Sequence, residues 1–202
     1  MKKALIPIIV IVALVIIIGG WLASVNNSLV PLEQNGEAQW ANVESSYQRR
    51  ADLIPNIVST AKGYAEFEQS TLVQVIEARS KATSVNIDPS NITPEQLSKF
   101  QEAQSGLSSA LSKLMVVFER YPDLKANENF KELINELERT ENRINVERNR
   151  FNDTAREFNI AINKFPTKMV AGLLGFNEKA YFKADAGSEN APDVEFDFGN
   201  DK

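Results

Sequence analysis

The sequence predicts an all-α protein: an antiparallel up-and-down four-helix bundle with long helices, preceded by one transmembrane helix. Three observations carry this expectation. Apolar residues recur at alternating steps of three and four along three long runs, the spacing of one helix face. An unbroken apolar stretch lies near the amino terminus. No strand pattern competes, apart from the short alternating segment Val194-Glu195-Phe196-Asp197-Phe198, which could add a strand to a partner's sheet edge. With 43% apolar and 24% charged residues among 202, the chain can build a core.

The first element is the anchor. Lys2-Lys3 precedes an uninterrupted apolar run from Ala4 to Ile18, and Gly19-Gly20-Trp21-Leu22-Ala23 extends it. Twenty helical residues rise about 30 Å, the thickness of the hydrocarbon layer. Pro7 falls in the first turn, where its missing N–H costs little. Trp21 suits the far interface. A cleaved signal peptide is the competing reading. The run is too long for one, and cleavage after Ala23 would place bulky Trp21 where a small residue is required. Residues 4–23 are therefore expected to hold the chain in a membrane. Basic residues precede the span and none follows until Arg49, whereas Glu33 and Glu37 do. By the positive-inside rule the bundle lies outside the cytoplasm.

The second element covers residues 38–82, with the seam Trp40, Val43, Tyr47, Arg50, Ile54, Ile57, Ala61 and Tyr64. A second run follows the break at Asp88-Pro89. Thr93-Pro94-Glu95-Gln96 supplies an N-cap, a proline at the first position and a glutamine to complete a capping box. Its seam is Leu97, Phe100, Gln104, Leu107, Leu111, Leu114, Phe118 and Tyr121, and Tyr121-Pro122 ends it. The third run is the longest: Phe130, Ile134, Leu137, Glu141, Ile144, Arg148, Phe151, Ala155, Phe158, Ile162 and Phe165, stopped by Pro166. Its steps of four and three make a coiled-coil-like seam. Runs of about 45, 28 and 38 residues would measure roughly 68, 42 and 57 Å. A break near Leu53-Ile54-Pro55-Asn56, or at Gly63, would even them out and give four helices.

Three units follow: an anchor over residues 1–25, a helical bundle over 26–183, and an acidic disordered tail over 184–202. The tail carries Asp185, Glu189, Asp193, Glu195, Asp197 and Asp201 against Lys202, which accounts for the whole net charge of −5. A neutral body with an acidic tail argues against nucleic acid as a partner, because phosphate binding needs a basic face.

Composition excludes much chemistry. Cysteine and histidine are both absent. That removes disulfides, Cys/His zinc sites, iron–sulfur clusters and Ser-His or Cys-His catalysis. No Walker motif or dinucleotide fingerprint occurs. Gly172-Leu-Leu-Gly175 lacks the flanking strands and basic groups of a phosphate loop and reads as part of an apolar turn over Met169–Phe176. Carboxylate pairs such as Glu66/Glu68 and Glu136/Glu138 face different ways on a helix. No catalytic residue, cofactor or metal is expected.

Two polar patterns stand out. Each seam contains an intruder, giving a buried polar layer of Arg50, Gln104, Glu141 and Arg148. Pairing across the bundle would satisfy it, and an open ligand site is the alternative. One residue along the third run lies a stripe of Asn142, Asn145, Asn149, Asn152, Arg156, Asn159 and Asn163, all on one face. Asparagine is a mediocre helix former, so a plain solvated face would use other residues. The stripe either bridges a neighbouring element or presents amides to a partner helix, an extended peptide or a polar ligand. A protein partner or self-association follows as the expected role, and Gly19-x-x-x-Ala23 is a weak motif for packing spans together.

Several segments are similar to the LemA family. They are Arg49-Arg50-Ala51-Asp52-Leu53-Ile54-Pro55-Asn56, Lys62-Gly63-Tyr64, Glu68 and Ala78-Arg79. Tyr121-Pro122-Asp123-Leu124-Lys125-Ala126, Asn129-Phe130 and Thr140-Glu141-Asn142 follow, then Arg150-Phe151-Asn152, Phe158-Asn159, Phe165-Pro166 and Gly175-Phe176. The resemblance covers about residues 30–183. Phe151 and Phe158 stand where the family usually has tyrosine, and Phe67 where histidine is common. The resemblance implies a bacterial membrane protein with one N-terminal span, a helical bundle and no established enzymatic activity. It also implies a cytoplasmic bundle, against the charge argument.

Overall fold

The computed structural model describes residues 2–64 and 68–184. The acidic stretch 185–202 with its alternating segment, and Glu66 and Phe67, lie outside the described residues. The protein is all-helical over what is described: α1 (Lys2–Lys62), α2 (Gln69–Ser84), α3 (Pro94–Phe118), the short α4 (Pro122–Ala126), α5 (Glu128–Asn163) and the short α6 (Lys168–Ala171). Four of them, α1, α2, α3 and α5, make the bundle. α1 and α5 form the longest interface and run antiparallel, with Gln39 bonded to Glu147 and Arg49 to Glu136.

α1 is one helix of 61 residues, about 92 Å at 1.5 Å per residue. It passes without a break from the apolar stretch into the bundle, through Pro7, Pro31 and Pro55. The chain reverses at Gly63 and not at Pro55. Each internal proline leaves the carbonyl four residues earlier without its donor. Asn27 and Pro31 are both exposed, so water reaches that carbonyl. Ala51 is buried, and here a side chain replaces the missing bond: Arg79 Nε donates to the Ala51 carbonyl at 2.7 Å. A helix of α2 thus repairs the gap that Pro55 makes in α1.

The other boundaries follow local chemistry. Thr93 and Gln96 form the expected capping box at the start of α3. α3 ends at Phe118, and Pro122 opens α4. Asn127 caps α5, its side chain accepting from Phe130 N–H while its amide donates to the Tyr64 hydroxyl. α5 ends at Asn163, so Phe165 falls beyond the seam and is 82% exposed.

The core has three segments along the axis. The end far from the amino terminus holds Ile54, Ile57, Leu107, Leu114, Phe130 and Leu137 between all four long helices. The middle is an aromatic knot. Trp40 packs edge-on against Phe100 and Phe151 and stacks on Phe182 at 5.8 Å. The third segment, Val25, Leu29, Phe158, Ile162, Ala171 and Phe176, lies between α1, α5 and the turn after α5. Past Gly175, at φ 90°, the chain runs back along α5 as an extended strap over residues 176–184. Phe182 of this strap closes the aromatic knot.

Candidate functional site

The polar intruders of the seams gather around one guanidinium. Arg50 is 1% exposed. Its Nη1 donates to Glu141 at 2.8 Å and to the Ser108 hydroxyl at 2.9 Å, and its Nη2 donates to Gln104 Oε1 at 2.6 Å. Gln104 in turn donates to the Ala82 carbonyl. Arg50 also lies over the Tyr47 ring. Arg50 and Gln104 are buried, whereas Glu141 and Arg148 are half-buried. The layer is closed on the α1 side and open on the α3/α5 side. Buried charges that the seam pattern misses are Glu147, which accepts from Gln39 at 2.7 Å and pairs with Arg150, and Lys179. Thr140 and Glu147 keep the three-and-four spacing of Leu137, Ile144 and Phe151 and take the buried places that the seam assigns to Glu141 and Arg148. Lys179 lies beyond the helices, where periodicity gives no signal.

The asparagine stripe divides into two halves. Its carboxyl half holds the strap. Asn159 donates to the Lys179 carbonyl at 2.8 Å and accepts from the Lys179 N–H at 2.9 Å, reading one residue's backbone in both directions. Asn152 does the same to Phe182, at 3.0 and 2.8 Å. Asn163 donates to Glu178 and Arg156 pairs with Asp153 on its own helix. Seven helical residues rise about 10.5 Å, close to the span of three extended residues, so one asparagine per heptad meets every third strap residue. The strap then passes between α3 and α5, where Gln101 and Arg148 both donate to the Lys183 carbonyl. Arg148 also covers the Phe182 ring.

The other half of the stripe, Asn142, Asn145 and Asn149, is exposed. Asn145 borders a polar groove of about 390 Å³ between α3 and α5, which Ser105, Ser108, Gln104 and Glu141 also line. The groove begins where the described strap stops, since Gln101 and Arg148 border it too.

Lys179 locks the strap to the rest. Its side chain is buried, with its stem against Gly36, where a Cβ would lie 3.5 Å from it. Its ammonium lies 3.7 Å from Glu33 and over the Phe158 ring, and donates to the Pro89 and Ser90 carbonyls. In the same loop the Ser90 hydroxyl and N–H donate to Asp88, which holds that carboxyl below the usual range. Among the described residues, no group of three acidic side chains is placed to hold a metal ion.

Near the amino terminus, α1 contains a stretch long and apolar enough to cross a membrane. The chain is similar to three known proteins. Magnetosome protein MamQ of Magnetospirillum gryphiswaldense is 28% identical over 173 residues, covering 77% of this chain and 64% of that protein. Magnetosome protein MamQ 2 of Paramagnetospirillum magneticum is 28% identical, over 78% of this chain and 64% of its own length. Protein LemA of Metamycoplasma hominis is 28% identical over 142 residues, 70% of this chain and 61% of that protein. The chain thus spans less than two thirds of these relatives' lengths. The LemA family model matches residues 39–196, from the aromatic knot through the strap and beyond its described end. This is not a known enzyme family, and a membrane-associated helical protein fits it. The chain belongs to the LemA family.

Proposed function

We propose that the protein is a membrane-anchored interaction module of the bacterial envelope with no catalytic activity. Residues 1–25 serve as the anchor, 26–183 as the docking bundle and 184–202 as an acidic tail. The observation that carries the reading is the divided stripe. Asn152 and Asn159 hold an extended backbone through paired amide bonds. Asn142, Asn145 and Asn149 continue the stripe with exposed amides, and Asn145 borders the polar groove. Backbone-directed amides give affinity for an extended chain with little demand on its sequence. The bundle's polar core supports the same reading: Arg50 ties α1 to α3 and α5 through its Nη1 and Nη2 bonds to Glu141, Ser108 and Gln104.

A photo-crosslinking residue placed at Asn149 in the cell tests this. Discrete adducts from position 149, absent from the same probe at Lys113 on the far side of α3, are the expected result. Equal, diffuse labelling at both positions would sink the docking face. Asn145→Ala with Asn149→Ala should abolish the adducts from a probe at Asn142 without moving Tm.

A second reading, self-association in the membrane, has its own support. A Cβ added at Gly19 or Gly20 would meet nothing within 4 Å, so this face of the span is open to a second helix, and small residues let spans approach closely. Gly19→Leu should convert a dimer to a monomer in detergent if the span self-associates, and should change nothing if it does not.

A further inference from the structure

The turn after α5 exposes apolar residues where the bundle ought to be wet. Outside α1, Leu173 and Phe165 are the two most exposed large apolar side chains among the described residues, at 87% and 82%, and Met169 is 68% exposed. They share one turn of the chain, residues 164–175. Scattered exposed apolar residues need no explanation, but three in one turn mark a contact surface.

Register fixes where this turn lies along α1. The antiparallel pairs Arg49 with Glu136, Gln39 with Glu147 and Arg50 with Glu141 have residue numbers totalling 185 to 191, which places Asn163 level with residues 22–28 of α1. Packing agrees, since Ile162, Phe158 and Ala171 share a cluster with Val25 and Leu29. Trp21 is half-buried against the same cluster, as are Val170 and Leu174. The turn therefore meets α1 where its apolar stretch ends. The side chains of residues 6–18 are exposed all round the helix.

We propose that the 164–175 turn is a second membrane contact, lying in the interface of the bilayer that holds α1. Phe165, Met169 and Leu173 enter the boundary between head groups and acyl chains, and the exposed Lys164 and Lys168 extend their ammonium groups to lipid phosphates. An apolar cluster with flanking lysines is the composition of interfacial segments, and Trp21 at the same level is the residue that such a depth favours. The contact gives the bundle two points of attachment. A single helix would leave it free to rotate about the α1 axis, whereas a side attachment selects which face turns toward the membrane. The inference rests on the reading of residues 4–23 as a membrane span.

The full chain has no cysteine, so single cysteines at Leu173, Met169, Ser112 and Ile11 can each carry an environment-sensitive fluorophore. The labelled proteins are reconstituted in bilayers of phosphatidylcholine and phosphatidylglycerol, with nitroxides either near the head groups or deep in the acyl chains, and then titrated with aqueous iodide. At Leu173 and Met169 the expected result is strong quenching by the shallow nitroxide, weaker quenching by the deep one, and shielding from iodide. Ile11 should respond to the deep nitroxide and Ser112 to iodide alone. If Leu173 and Met169 behave like Ser112 while Ile11 is quenched, the interfacial contact is wrong and the anchor stands. If Ile11 also escapes both nitroxides, the anchor reading fails and takes the inference with it. Shielding from iodide without lipid quenching would show a protein covering the turn and overturn the proposal.

Discussion

At Pro55 the backbone of α1 lacks the N–H that would have reached the Ala51 carbonyl, and Arg79 supplies the replacement from another helix. A buried acceptor left without a donor costs about 1–3 kcal/mol. Arg79→Met should therefore lower unfolding stability by about 1–3 kcal/mol. In a Pro55→Ala background the helix can make its own bond, and the loss should shrink; a double-mutant cycle in denaturant reads the difference. Equal losses in both backgrounds would show that Arg79 acts through its ion pair with Asp52, 4.0 Å away, or through packing. The Arg50 cluster makes a related point about shape. Its fork reaches Glu141, Ser108 and Gln104 at once, and a lysine ammonium cannot span them. Arg50→Lys keeps the charge, yet should cost about 1.5–3 kcal/mol for each charged bond lost. Near-normal stability of that variant would mean that charge, not geometry, matters there.

At the scale of elements, the long helices were legible and the strap was not. The seam positions Trp40, Val43, Tyr47, Ile54, Ile57 and Ala61 are all buried, because a long amphipathic helix announces its face by repetition. Proline is ambiguous for a physical reason: the donor that replaces the bond lost at Pro55 comes from Arg79, which lies in another element. Phe165 kept the seam's spacing but lies beyond the helix end. Glu141 and Arg148 occupy seam positions yet stay half-exposed, since α3 and α5 leave a groove there. The strap has no period of its own, being held by Asn152, Asn159, Gln101 and the aromatic socket of Trp40. Asn159→Ala removes both bonds to the Lys179 backbone and should cost about 1–3 kcal/mol. Amide exchange at Lys179 and Phe182 should speed up together if the strap is one cooperative unit. Asn149→Ala, on the exposed half, should stay within about 0.5 kcal/mol of the parent. A loss as large as that of Asn159→Ala would show that this half also serves the fold.

At the scale of the whole molecule, one continuous α1 makes the side on which the bundle lies a single binary choice. α1 runs unbroken from the apolar stretch into the bundle, so a chain that crosses a membrane at residues 4–23 carries the bundle to whichever side residue 24 emerges. Lys2 and Lys3 precede the apolar stretch, and Glu33 and Glu37 follow it. The next basic residue, Arg49, is about 39 Å beyond Ala23, where the apolar stretch ends, at 1.5 Å per residue. That is beyond the flank that decides orientation. The charge asymmetry then favours a cytoplasmic amino terminus and a bundle on the opposite side, against the cytoplasmic bundle that the family resemblance implies. Ser112 is exposed on α3, far from the strap and the turn, so Ser112→Cys gives one reporter in a chain without cysteine. Cells, with any outer membrane permeabilised, are treated with a membrane-impermeant maleimide, and a cytoplasmic thiol protein serves as the control for leakage. Labelling of Ser112→Cys with the control untouched is the expected outcome, and it places the groove among envelope proteins and secreted peptides. Protection until lysis would reverse the orientation. The acidic residues after the span would then lie on the side that the rule reserves for lysine and arginine, and insertion would have to be directed by something other than flanking charge.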